Sequence, residues 1–170
     1  MVNGEWSTPI TCTSIGASHR RQNCPCQDAS DSSTFLSFDR YSVSVMIVAD
    51  GHGGKPHFLS HEGSSIACKV SLEIIKNYFI ATCLLTKNMM HDSYLWLSKQ
   101  LPMQIYCEWL SSIEEHWTMH HFDSGVFDPV IYGTTLGIVV MTPFWWGYTG
   151  VGDWDLIFRR QSGIVSLFSE

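Results

Sequence analysis

The chain has 170 residues, 45% of them hydrophobic and 15% charged, and a formal net charge of −6. It is long enough for one domain, residues 1–170, with a substantial core, too short to expect two, and too apolar for intrinsic disorder. Its ten basic residues are thinly scattered, with only Arg20-Arg21 and Arg159-Arg160 adjacent, so the basic stripe of a nucleic-acid binder is absent.

Met1 to Thr11 has neither a positively charged start nor an apolar segment, so no secretion signal is expected there. No apolar run reaches the length of a bilayer span. These features predict a cytoplasmic protein with reduced thiols, in which Cys12, Cys24, Cys26, Cys68, Cys83 and Cys107 fill the core. Trp6 to Ser14, rich in Thr, Ile and Trp, predicts a first strand, and the polar stretch Gly16 to Asp31 an irregular segment. Cys24-Pro25-Cys26 lacks CxxC spacing, which argues against zinc.

Phe35 to Asp39 and Ser42 to Ala49 then predict a hairpin turning near Asp39-Arg40. The second of these strands becomes continuously apolar near its end, the pattern of a strand covered on both faces. A long helix is expected from near His61, with Ile66, Val70, Ile74 and Tyr78 at four-residue spacing and Ala67, Ile75 and Phe79 beside them. A second is expected from near Ser93, with Leu101, Ile105, Trp109, Ile113 and Trp117 in register; Pro102 should kink it or mark its true start. From Thr134 the period changes to that of strands at Leu136 to Met141, Trp145 to Thr149, Trp154 to Arg159 and Ile164 to Phe168. Strands, then helices, then strands predict segregated α+β layers.

The richest segment for chemistry is Val48-Ala49-Asp50-Gly51-His52-Gly53-Gly54. A carboxylate leaves a buried strand into a glycine turn, where the backbone can approach whatever Asp50 binds. Carboxylate and peptide oxygens together suit a hard cation, and His52 could exchange protons near neutral pH. Gln27-Asp28 and Gly152-Asp153 are further acidic islands at strand or loop edges, although Gly-Asp is also an ordinary turn. Histidines offer a rival, since His57/His61 and His116/His120 (with His121) stand four apart, but neither pair forms HExxH and a solvated helix end explains them as well. No P-loop and no GxSxG elbow is present.

In their order, Gly16-Ala17-Ser18-His19, Pro25-Cys26-Gln27-Asp28-Ala29, the Asp50-Gly51-His52-Gly53-Gly54 turn, Glu62-Gly63-Ser64-Ser65-Ile66-Ala67, Tyr132-Gly133-Thr134-Thr135-Leu136 and Val151-Gly152-Asp153 resemble the motifs of the metal-dependent type 2C serine/threonine protein phosphatases, in their bacterial-style branch. The resemblance implies two stacked antiparallel sheets flanked by helix pairs, a four-layer αββα arrangement. It also implies magnesium- or manganese-dependent hydrolysis of phosphoserine and phosphothreonine in phosphoprotein substrates. Two ions ~4 Å apart would activate a water for attack on phosphorus. On this resemblance Asp50 bridges the ions, the Gly51 carbonyl binds one, Asp28 holds or orients metal-bound water, Asp153 joins an accessory site, and His52 protonates the departing oxygen.

The chain departs from the family pattern at Gln27, where Glu is frequent, and at Asn23, where a phosphate-binding Arg is frequent; Arg20 or Arg21 is the substitute expected here. The family's later Asp-Gly and Asp-Asn motifs do not occur before Glu170. The expectation is therefore the N-terminal part of such a domain, incomplete at the C-terminus, with a non-catalytic pseudo-phosphatase or binding module as the alternative.

Overall fold

The computed structural model describes residues 6–21, 24–120, 125–160 and 162–169. It is an α+β arrangement built on a four-stranded antiparallel sheet of β1 (Asp28–Leu36), β2 (Ser42–Asp50), β3 (Leu136–Met141) and β4 (Trp146–Val151), in that spatial order. A separate antiparallel pair, β5 (Asp155–Arg159) and β6 (Val165–Ser169), completes the strands. The helices are the short α1 (Ala17–Arg21), α2 (Ser60–Ala81), α3 (Met89–Leu95) and α4 (Leu101–His120). No helix among the described residues is long and apolar enough to cross a membrane.

The strand period of two decides which side chains face which layer. Val43, Val45, Ile47 and Ala49 of β2, with Ile138 and Val140 of β3, point to one face and form the core with Ala67, Ile75 and Phe79 of α2. On the opposite face Trp146 stacks on Phe158 at 5.2 Å and Tyr148 meets Phe168 at 5.3 Å, so β5–β6 lies across the sheet from the helices. Trp154 covers the same face where Gly137 and Gly150 pair; a Cβ on Gly150 would come within 2.4 Å of its Nε1. Helices, four-stranded sheet and hairpin are thus three layers; a second helical layer does not occur among the described residues.

Several sequence expectations need correction. Residues 6–14 form no strand; Trp6 Nε1 instead donates to the Thr142 carbonyl (2.8 Å) and Thr13 Oγ1 bonds Ser30 Oγ (2.6 Å). Conversely, β1 begins seven residues before Phe35, inside the segment expected to be irregular. It is an edge strand, and in its polar Asp-Ala-Ser-Asp-Ser-Ser run only Ala29 packs against the core while the backbone pairs with β2, a pairing that no hydrophobic pattern reports. β2 is covered mainly on one face, since Val48 is 47% exposed; the strand buried on both faces is β3. Of the cysteines, all thiols, only Cys68 lies in the core; Cys12, Cys83 and Cys107 are exposed.

The expected helices are present with shifted ends. On α2 the deepest stripe is Ala67, Ser71, Ile75 and Phe79, one residue round from the Ile66–Tyr78 stripe. The second helical stretch starts at Met89 and passes through a π turn at Trp96–Gln100, where the Leu101 N–H reaches the Trp96 carbonyl. Pro102 explains it: without an N–H it cannot bond the Ser98 carbonyl, so the helix loosens just before it.

Candidate functional site

The end of the β1–β2 pair brings the first two acidic islands together. Asp28 and Asp50 are direct register partners, so their side chains project from the same face, the one across from the helices. They border a cleft of about 280 Å³ that also takes in Cys12, Ser30, Thr135, Asp153 and Trp154. All three carboxylates reach solvent there. Asp153 arrives from the turn after β4, where Gly152 at φ 80° supplies the left-handed residue the reversal needs.

The Asp50 backbone is fixed by the Thr134-Thr135 segment. Its N–H donates to Thr135 Oγ1 (3.0 Å), and its carbonyl accepts from the Thr135 N–H (2.8 Å) and Thr134 Oγ1 (3.0 Å). Gly51 sits opposite Thr134, but the bridging bonds run through its neighbours, Asp50 and His52, and its own N–H turns to the Gln27 carbonyl (3.1 Å). Only glycine fits here: a Cβ would lie 2.7 Å from the Gln27 carbonyl oxygen and 2.8 Å from that of Ser60. Gln27 anchors the turn from below, its Nε2 donating to the His52 carbonyl (3.1 Å) and Ser60 Oγ (2.8 Å). A glutamate would have no hydrogen to donate, which is the physical reason an amide suits this position.

Electrostatically the corner is crowded with negative charge. The Asp50 carboxyl is held above its ordinary 3.8, first by burial, then by a hydrogen bond with Asp28 and by the charges of Asp28 and Asp153, with His52 opposing. His52 is exposed; its N–H is tied to the Gly133 carbonyl (2.9 Å), and its ring meets His57 edge to face at 5.1 Å.

Other expected residues lie elsewhere. Arg20 and Arg21 are on α1, with Arg20 Nη2 donating to the Ile15 carbonyl (3.3 Å), and neither borders the cleft. Asn23, His121 and Glu170 fall outside the described residues. His57 and His61 belong to different elements, a 3-10 turn (Lys55–His57) and α2. His116 and His120 do share a face of α4, their rings 4.6 Å apart, but His116 Nδ1 bonds the Tyr132 hydroxyl (2.7 Å) and its Nε2 faces Glu62.

Among the described residues no three His, Cys, Asp or Glu side chains stand close enough to hold a metal ion by themselves. The acidic donors at the Asp28–Asp50 corner are nevertheless carboxylate oxygens, although the cleft also takes in Cys12, and like charges already crowd there. That set fits a hard divalent cation that keeps several of its waters. Sequence reading quotes Gln27 and Thr135 within motifs but misses their role, and misses Ser60 altogether; their contribution is hydrogen bonding across the fold, and a local motif does not display it.

The family profile described as protein phosphatase 2C matches residues 15–170. No curated protein and no solved structure gives a match.

Proposed function

This chain belongs to the protein phosphatase 2C family, and from that premise we propose that it hydrolyses phosphoserine and phosphothreonine esters of proteins with the help of magnesium or manganese. One observation carries the reading: Asp28 and Asp50 pair across β1–β2 at the mouth of a cleft, where burial first and then neighbouring carboxylates, whose charge a cation would neutralise, raise Asp50. Asp28, Asp50 and the Gly51 carbonyl would hold the metal, with Asp153 serving an accessory ion. When bound, such ions neutralise the phosphate and make water a nucleophile at neutral pH.

The chain's own residues contribute positioning. Thr134 and Thr135 hold the Asp50 peptide, Gln27 holds the turn that follows it, and exposed His52 carries a proton to the serine or threonine oxygen as it leaves. Arg20 and Arg21 are the proposed phosphate contacts. Residues 1–170 are proposed to belong to one domain of the four-layer αββα kind, three layers of which lie among the described residues, working in the cytoplasm, where its thiols stay reduced. The second reading, a fold kept as a binding module without catalysis, is favoured by the lack of a three-residue metal cluster among the described residues.

Phosphate release from a phosphothreonine peptide with manganese distinguishes the two. The catalytic reading expects release that stops on chelation and falls at least about tenfold in Asp50→Asn, since a metal ligand contributes several kcal/mol. No release supports the binding module; release indifferent to the chelator contradicts the metal dependence proposed here.

A further inference from the structure

We propose that His57 is a positioning residue that sets the ring of His52, an inference resting on the reading of His52 as the proton donor. His57 closes the 3-10 turn after the glycines, its N–H bonded to the Gly54 carbonyl (3.1 Å). Its Nδ1 lies 2.6 Å from the Val130 carbonyl oxygen. A carbonyl only accepts, so Nδ1 carries the hydrogen, and the ring of His57 is held in one tautomer and one orientation.

That fixed ring is a wall for His52. The two rings meet at 78° with centroids 5.1 Å apart. Gly133 forms the other side of the slot: a Cβ there would stand 2.8 Å from His52 Nδ1 and 3.2 Å from His57 Nδ1. The His52 main chain is already pinned to the Gly133 carbonyl, so ring rotation is the freedom left to an exposed side chain. A proton donor acts only within hydrogen-bond reach of the atom it serves, and a ring free among rotamers spends most of its time elsewhere. Val130 lies within the 3-10 turn (Pro129–Tyr132) that Gly133 closes and that leads into Thr134-Thr135, so one element orients both the carboxylate and the imidazole.

Two readouts test this in the 170-residue chain. In long-range proton–nitrogen spectra of histidine-labelled protein, His57 should show the Nδ1-protonated tautomer. The ring signals of His52 should shift in His57→Ala and return toward wild type in His57→Phe, which restores the ring wall. Unchanged His52 signals in His57→Ala overturn the proposal. In kinetics with manganese, His57→Ala should lower kcat on a phosphothreonine peptide roughly tenfold with KM nearly constant. Hydrolysis of p-nitrophenyl phosphate, whose phenolate departs without a proton, should change by less than about twofold. Equal losses on both esters would make His57 a structural support and overturn the positioning role. A wild-type chain that hydrolyses neither ester defeats the phosphatase reading, while the spectra still decide whether His57 sets the ring.

Discussion

Asp50 sits where its charge is least welcome in the absence of a cation, and its stability effects have a definite sign. Its folded pKa lies above 3.8, so the ionised form destabilises the fold at neutral pH, and that cost fades as pH falls toward and below the unfolded value. Asp50→Asn should therefore raise Tm slightly in chelator at pH 7, by a few degrees at most because solvent screens an exposed group, and the gain should vanish near pH 3. Asp39 has the opposite sign. Burial works to raise it, but the Ser37 hydroxyl and the N–H groups of Leu85, Asp39 and Leu84 outweigh that and hold its carboxyl below 3.8. Its contribution is present above the unfolded pKa and lost as pH falls through the lower folded one, so Asp39→Asn should flatten the acid limb of a stability–pH curve measured by urea unfolding. Thr135→Val removes the acceptor of the Asp50 N–H from a residue 5% exposed and should cost about 1–3 kcal/mol in the same assay. Asp50 and His52 were legible in the sequence because their turn is local. Asp39 reads there as a mere turn residue; its partners at Leu84 and Leu85 are tertiary.

Elements were legible to the extent that burial shows in periodicity. α2 and α4 carry long apolar stripes and β3 is an unbroken apolar run, so their existence follows directly from the sequence. β1 escapes because an edge strand of Asp, Ser and Thr has no apolar signature, and residues 6–14 mislead because Thr, Ile and Trp favour strands without guaranteeing a partner. The seating of α2 against the 3-10 turn at Pro129–Tyr132 depends on a single missing side chain. A Cβ at Gly63 would fall 1.9 Å from the Tyr132 carbonyl oxygen, backbone against backbone. Gly63→Ala should consequently destabilise by ~3 kcal/mol or more in urea unfolding, and by displacing the turn that leads to Thr134-Thr135 it should also weaken any manganese response.

For the whole molecule, the layers differ in how they are held. β2 and β3 are flanked by paired strands and packed on α2, whereas β5–β6 is a two-stranded unit attached through Trp146, Tyr148, Phe158 and Phe168. Isolated hairpins are marginal in water, so hydrogen exchange should be slowest in β2 and β3 and fastest among the strands in β5 and β6. Trp146→Ala should accelerate exchange in β5–β6 roughly tenfold, aromatic pairs contributing ~0.5–1.5 kcal/mol each, with less effect on β2. The α+β order was legible because helix and strand periods segregate along the chain; the stacking of the hairpin on the far face was not, since aromatic contacts between β4 and β6 leave no trace in spacing. The central claim is that the Asp28–Asp50 corner holds a divalent cation, and a calorimetric titration of manganese into the chain and into Asp50→Asn tests it most directly. Saturable binding by the wild type that disappears in the variant is the predicted result; equal binding in both, or none in either, would contradict it.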